Sequence, residues 1–285
     1  MFAITGATGQ LGRLVIEQLL QRVPVSQIIA AVRSPEKATD LAALGVQVRH
    51  ADYSQPETLD TALSGASKVL LISSNEIGQR ATQHQAVIDA AQRAGVELLA
   101  YTSVLHADTS ALELAEEHRQ TETAMAQSGV PSVILRNGWY NENYAGAIPA
   151  AIAHGAHFGC AGDGRFSAAA RADYAEAAVA VLTSTAQQAG QVYELAGDDA
   201  FTLSEFAAQI AAQSGKPVAY TNLPEADYKA ALLQAGLPEG FAQLLANADT
   251  AASQGALFDD SGVLSRLIGR ATTPMAETIA AALKE

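Results

Sequence analysis

The sequence predicts an α/β fold: a doubly wound parallel sheet with a smaller, mostly helical C-terminal lobe. Three observations carry this. Short apolar segments alternate with helix-like segments through the first half of the chain, the rhythm of a parallel sheet covered by helices on both faces. Three glycines, Gly6, Gly9 and Gly12, lie where the first strand-like segment meets the first helix-like one. After Arg136 the alternation gives way to small residues, glycines and Ala-rich stretches.

Met1–Thr5 reads as a short apolar strand, and Leu11, Leu14, Val15, Leu19 and Leu20 give Gln10–Gln21 a helical apolar face. Gln27–Val32 is a second strand, followed by a helix through Leu41, and Val46–His50 alternates like a third. Pro56 stands where a helix opens, and Lys68–Ile72 is a fourth, nearly continuous apolar strand. The helix Ala81–Ala94 stops at Gly95, where a C-terminal cap is expected. Val96–Thr102 and Val133–Leu135 lie on strands flanking a helix from Leu112 to Gln127.

Asn137–Arg171 reads as loops with one short helix near Ala145–His154. Asp173 reads as the N-cap of a helix over Tyr174–Thr183, and Gln191–Leu195 as another strand. Thr202 and Glu205 form a capping box for Leu203–Gln213. Helical pieces in the tail break at Gly236, Gly240 and Gly255. Residues 1–140 are therefore expected to form a cofactor domain and 141–285 a smaller substrate or lid lobe. The boundary is soft, and later strands can return to the main sheet.

The 285 residues carry 17 basic and 30 acidic side chains, a formal charge of −13. That surface repels nucleic-acid phosphates, and no Lys/Arg run offers a local patch, so no nucleic-acid partner is expected. No apolar run approaches the roughly 20 residues that span a bilayer, so no membrane partner is expected either. The chain opens directly in a strand with no secretory pattern, and its one cysteine, Cys160, suits a reducing compartment. The expectation is a cytoplasmic protein. His154, His157 and Cys160 lack a fourth ligand, and no metal site is expected.

The glycine cluster carries the chemistry. Gly6-Ala7-Thr8-Gly9-Gln10-Leu11-Gly12 follows a G-x-x-G-x-x-G spacing, a variant of the dinucleotide fingerprint. A strand delivering a tight turn to a helix N-terminus needs a glycine at the turn and another where a pyrophosphate approaches the backbone. The third permits close helix–strand packing. Free N–H groups of the first helical turn, with the helix dipole, then attract phosphate. This is a Rossmann-type arrangement. Twenty-one residues beyond Gly12 stands Arg33, where a carboxylate would bind the ribose hydroxyls of NAD. A guanidinium there pairs with a 2′-phosphate, which favours NADP(H); the alternative is an ordinary exposed cation.

Ile4–Gly12, Leu70-Leu-Ile-Ser-Ser74, Ala100-Tyr-Thr-Ser103, Leu135-Arg-Asn-Gly-Trp-Tyr140, Glu142-Asn-Tyr144 and Arg171-Ala-Asp-Tyr174 together resemble the NmrA-like branch of the atypical short-chain dehydrogenases, in particular its bacterial NADPH-dependent quinone oxidoreductases. The resemblance covers essentially the whole chain. It implies that Ser73, Ser74 and Asn75 line the cofactor near its ribose and nicotinamide, and that Asn137, Gly138, Trp139 and Tyr140 lie against the nicotinamide. It implies that Asn143 positions the substrate and that Tyr174, with Arg171, approaches the ligand. Trp139 and Tyr140 either wall a planar quinone or pack between the two lobes.

One departure matters. Classical short-chain dehydrogenases and sugar-nucleotide epimerases carry Tyr-x-x-x-Lys, often with Glu four residues later; this chain has Leu114, His118 and Glu122. The usual general acid beside a carbonyl is missing, which disfavours alcohol or sugar oxidation and epimerisation. His118 is a supporting residue, a surface one or, as a third alternative, a catalytic group. Quinone reduction tolerates the loss, because hydride addition gives a stabilised aromatic hydroquinone anion that water can protonate. The resemblance therefore implies hydride transfer from NADPH to a quinone. The alternative is a non-enzymatic NADP(H)-binding redox sensor of the regulator branch.

Overall fold

The computed structural model describes residues 1–284. In chain order the elements are β1 (Phe2–Thr5), α1 (Gln10–Leu19), β2 (Ile28–Val32), α2 (Thr39–Ala43), β3 (Gln47–His50), α3 (Pro56–Leu63), β4 (Lys68–Leu71), α4 (Arg80–Ala94), β5 (Leu98–Val104), α5 (Ala115–Ser128) and β6 (Ser132–Asn137). They continue as α6 (Glu142–Ala145), α7 (Ile148–His154), β7 (Ala156–Gly159), β8 (Arg165–Phe166), α8 (Arg171–Thr183), β9 (Val192–Leu195), β10 (Phe201–Thr202), α9 (Leu203–Ser214), β11 (Ala219–Asn222), α10 (Glu225–Gln234), α11 (Glu239–Ser253), α12 (Val263–Ile268) and α13 (Met275–Ala282). Two compact units result: the first is Met1–Ala107, Glu116–Asn137 and Ala172–Tyr193, and the second is Asp108–Ala115, Gly138–Arg171 and the chain from Glu194 onward.

The main sheet runs β3-β2-β1-β4-β5-β6-β9. β1 pairs in parallel with β2 and β4, and β2–β3, β4–β5 and β5–β6 are parallel as well. Every residue of β2 and β5 is buried, which accounts for their lack of polar alternation: both faces of a parallel sheet are covered. One side of the core gathers Ile29, Leu59, Leu63, Val69, Leu71, Val87, Ile88, Leu99, Tyr101 and Met125, joining β2, α3, β4, α4, β5 and α5. Because β1 lies between β2 and β4, the turn after β1 emerges between the loops that follow its two neighbours. That placement decides which residues meet in the first unit.

The alternation read from sequence is the alternation observed, with local differences. The segment after β2 is a 3-10 turn over Pro35–Ala38 and then the short α2, shorter than the single helix expected. Asn137–Arg171 contains two helices and two strands where one helix was expected. β7 pairs with β11 in parallel and β8 with β10 antiparallel, so these strands owe their existence to partners far along the chain. Asp173 is not a cap: α8 begins at Arg171, whose N–H is capped by both carboxylate oxygens of Glu142 at 3.0 Å. Gly240 does not break the tail. It lies in the first turn of α11, where Pro238 starts the helix and Ala242 and Ala246 bury its face. A single exposed glycine costs about 1 kcal/mol in a helix, which that packing offsets. The capping box of Thr202 and Glu205 is formed, with Glu205 N–H donating to Thr202 Oγ1 at 3.2 Å and Thr202 N–H to Glu205 Oε2 at 2.8 Å.

Candidate functional site

In the first unit the glycine turn is built as its spacing predicts. Gly6 takes φ +59°, a conformation that side-chain-bearing residues rarely adopt. Gly9 N–H donates to Gly6 O at 2.9 Å and closes the turn. Gly9 is the N-cap of α1 with extended backbone and no side-chain cap, and the first turn holds no acidic residue. The first helical donor satisfied is Arg13 N–H, on Gly9 O at 3.0 Å. The N–H groups of Thr8, Gln10, Leu11 and Gly12 meet no acceptor among the described residues. Four unspent donors at a helix N-terminus, next to a glycine backbone, fit a diphosphate. Ala7 is fully buried behind them.

The floor of the turn is polar and tied. Thr5 Oγ1 donates to Leu70 O at 3.1 Å and accepts from Ile72 N–H at 3.1 Å, joining β1 to the end of β4. The Tyr53 hydroxyl lies against Thr5 Oγ1 and 3.0 Å from Ile72 O. Burial pushes that phenol up, so it acts as a hydrogen-bonding strut and not as an acid near neutrality.

The loop after β4, Ser73–Glu76, is gripped from below by one face of α4. Ser73 N–H donates to Thr102 Oγ1 at 2.9 Å, and Ser74 N–H donates to His84 Nε2 at 2.9 Å. Arg80 Nε donates to Ser74 O, and Gln83 Nε2 to Glu76 Oε2 at 2.7 Å. Arg80 itself begins α4 with its N–H on Glu117 Oε1 at 3.1 Å. Since His84 Nε2 accepts from Ser74 N–H, the ring proton sits on Nδ1, which donates to Thr121 Oγ1 at 2.9 Å, and the Thr121 hydroxyl in turn donates to Glu117 O. Burial, with the Arg80 charge nearby, pushes the His84 imidazole down to about 3. The ring is therefore neutral across the physiological range and holds Ser74 throughout it. Below about pH 6.5 the unfolded imidazole gains a proton that the folded one refuses, so this group's stabilisation is present above that value and is lost as pH falls towards 3. His84→Ala leaves the Ser74 N–H without its acceptor; we expect a loss of about 1–3 kcal/mol in urea unfolding and a raised KM for the nucleotide. An unchanged KM would show that the loop does not depend on this anchor.

These α4 residues escaped the sequence reading, although a signal exists. Arg80, Gln83 and His84 continue the stripe of Val87, Ile88 and Ala91 towards the helix N-terminus, and all six are buried. Polar residues extending an apolar stripe mark a face turned onto backbone groups that need partners.

The positions of the usual lysine and of the glutamate after it are accounted for. His118 is buried, its Nδ1 lies 2.7 Å from the Tyr101 hydroxyl, and burial holds its imidazole well below the ordinary value. It is a supporting residue, not a surface one. Glu122 makes a bidentate pair with Arg136 on β6, Nε to Oε1 at 3.0 Å and Nη2 to Oε2 at 2.7 Å, and also accepts from Ser103 Oγ. This carboxylate is spent on joining α5, β5 and β6.

Arg33 follows β2 with its side chain 65% exposed, and its Nη1 lies 2.5 Å from Glu76 Oε1. Asn137 closes β6, buried, its O accepting from Leu105 N–H at 2.9 Å. Tyr174 lies on α8 and is buried. The first unit thus brings together the glycine turn, Arg33 and Ser73–Asn75 at the carboxyl ends of β1, β2 and β4, where open α/β sheets take their ligands.

In the second unit, Gly138 N–H donates to Leu195 O at 2.7 Å, and the buried Trp139 accepts from Ala169 N–H at 3.2 Å. The Arg171 guanidinium lies 4.8 Å from the centre of the Tyr140 ring, a cation–π contact. Asn143 is exposed on α6, while the next residue, Tyr144, is buried among Phe166, Phe201 and Phe206. Burial pushes the Cys160 thiol up to about 11, so it is a thiol and no nucleophile. Among the described residues no helix is long and apolar enough to cross a membrane.

Residues 6–185 match the NAD(P)H-binding family, a span that covers the glycine turn and every strand from β2 to β8. The chain belongs to the NAD(P)H-binding family. Within that family its likeness to enzymes is extensive. It is 58% identical to quinone oxidoreductase 2 of Escherichia coli (strain K12) over 279 residues, 98% of this chain and 97% of the relative. It matches the crystal structure of an NADPH-dependent quinone oxidoreductase from Escherichia coli complexed with NADPH at TM-score 0.97 and 56% identity, covering 99% of this chain and 100% of the other. It also matches a Citrobacter triphenylmethane reductase complexed with NADP(H) at TM-score 0.95 and 40% identity, covering 99% and 100%.

Proposed function

We propose that this member of the family is an NADPH-dependent quinone oxidoreductase, transferring hydride from NADPH to a quinone and giving the hydroquinone. The observation that carries the reading is the identity of 58% across nearly the full length of an enzyme of that name. The geometry supports it from below. Unspent N–H groups of Thr8, Gln10, Leu11 and Gly12 suit a diphosphate, and Arg33 after β2 suits a 2′-phosphate. NADPH, when bound, supplies the hydride; the chain supplies orientation.

In this reading Gly6–Gly12 seat the pyrophosphate, Ser73–Asn75 bound the ribose and nicotinamide, Asn137–Tyr140 and Tyr174 complete the cofactor site, and Asn143 positions the quinone. No residue is required as a general acid. Leu114 has no proton to give, and His118 is buried against Tyr101. Two electrons leave with the hydride, and the hydroquinone oxygens take up their proton from water. The rate then rests on proximity and alignment.

Purified protein mixed with NADPH and simple benzoquinones should consume NADPH at a quinone-dependent rate well above the uncatalysed background. A rate equal to that background, with NADPH still binding, would remove the enzymatic reading and favour a redox sensor.

A further inference from the structure

Arg33 does not stand alone. Its Nη1 is held 2.5 Å from Glu76 Oε1, and no other acceptor among the described residues takes its Nη2 or Nε. The carboxylate is fastened on its far side as well. Gln83, 6% exposed, donates to Glu76 Oε2 at 2.7 Å, and Glu76 N–H donates to Ser74 Oγ at 3.1 Å. The pair links the loops after β2 and β4, the two strands that flank β1 and its glycine turn.

We propose that Glu76 is a specificity-determining residue for the nucleotide, a fixed negative charge that shares Arg33 with the 2′-phosphate and limits the preference for NADPH over NADH. This rests on the reading of Arg33 given above. A freely moving carboxylate would swing into water when a phosphate arrived. Glu76 is tethered through Gln83 and through its own backbone, so it stays within reach of the guanidinium. It then has two opposed effects. By occupying Nη1 it holds the guanidinium plane with Nη2 and Nε open, the edge a phosphate takes bidentately. By its charge it repels the phosphate and draws part of the arginine's field. NADH, with a hydroxyl in place of that phosphate, feels neither effect strongly.

The two effects separate in Glu76→Gln. The amide oxygen still accepts from Arg33, and the Gln83 amide turns to accept from the new NH2, so the loop geometry persists while the charge is gone. NADPH affinity, measured by calorimetry or nucleotide fluorescence, should rise roughly three- to tenfold relative to NADH. Arg33→Ala, measured beside it, should erase most of the NADPH preference. If Arg33→Ala erases the preference while Glu76→Gln leaves the NADPH-to-NADH ratio unchanged or lower, the proposal for Glu76 falls and the Arg33 reading stands. If Arg33→Ala leaves the ratio unchanged, both fall. Hydrogen-exchange protection of Ser74–Ile77 that collapses in Glu76→Gln would also overturn the proposal, since the residue would then act only by holding the loop.

Discussion

Gly9→Ala should abolish measurable NADPH binding while leaving the melting temperature within a degree or two, whereas Gly12→Ala should lose both. The two glycines lie in one turn but face different neighbours. A Cβ on Gly12 would stand 2.4 Å from Gly6 O and 2.7 Å from Ala7 Cα. Both are backbone atoms that cannot step aside, so α1 would have to move off β1. Overpacking of this kind costs about 1–3 kcal/mol and displaces the N–H groups aimed at the diphosphate. A Cβ on Gly9 meets only Gly6 O at 3.2 Å, and its φ of −73° suits any residue. The methyl would instead project towards the ground that a diphosphate must occupy. We expect at least a roughly hundredfold loss of affinity in both, equivalent to about 2.7 kcal/mol. Calorimetry with NADPH and a thermal melt on each variant decide the matter. A Gly9→Ala protein that binds normally would show that the phosphates do not lie against this backbone.

The second large effect is expected at Glu122. Its side chain is 15% exposed and its partner Arg136 is 10% exposed, and they pair through two hydrogen bonds. Glu122→Ala removes the carboxylate that takes two hydrogen bonds from the buried Arg136 guanidinium, and leaves Ser103 without its acceptor. Removing one partner of a buried pair costs about 3–5 kcal/mol. Replacing both charges, in Glu122→Leu with Arg136→Met, should recover part of that loss, because apolar side chains of similar volume need no partner of their own. Urea unfolding of the single and double variants tests this. A single variant within 1 kcal/mol of the parent would mean that water reaches Arg136 and that the carboxylate is dispensable.

This residue also shows how sequence pattern and structure divide the work. Glu122 occupies the position where classical short-chain dehydrogenases often carry a glutamate four residues after the lysine of Tyr-x-x-x-Lys. Only the fold reveals that its two oxygens are committed to Arg136 and Ser103. His118 is similar: its position suggested a supporting, a surface or a catalytic role, and its burial against the Tyr101 hydroxyl decides for the first.

What the sequence by itself determined is whatever is written in short range. The alternation of strands and helices, the turn from β1 into α1, the cap at Gly95 and the Thr202–Glu205 box each depend on residues within a few positions of one another. So does the spacing that places Arg33 after the second strand. Local sterics and hydrophobic periodicity suffice for these, and they were legible. What only the tertiary structure decided involves partners brought together from afar. The pairing of β7 with β11, the capping of Arg171 by Glu142, the grip of Arg80, Gln83 and His84 on the Ser74 loop, and the sharing of Arg33 by Glu76 are all of this kind. The reason is common to them: a buried or half-buried polar group must find a partner, and which one it finds depends on strand order, not on neighbours in the chain.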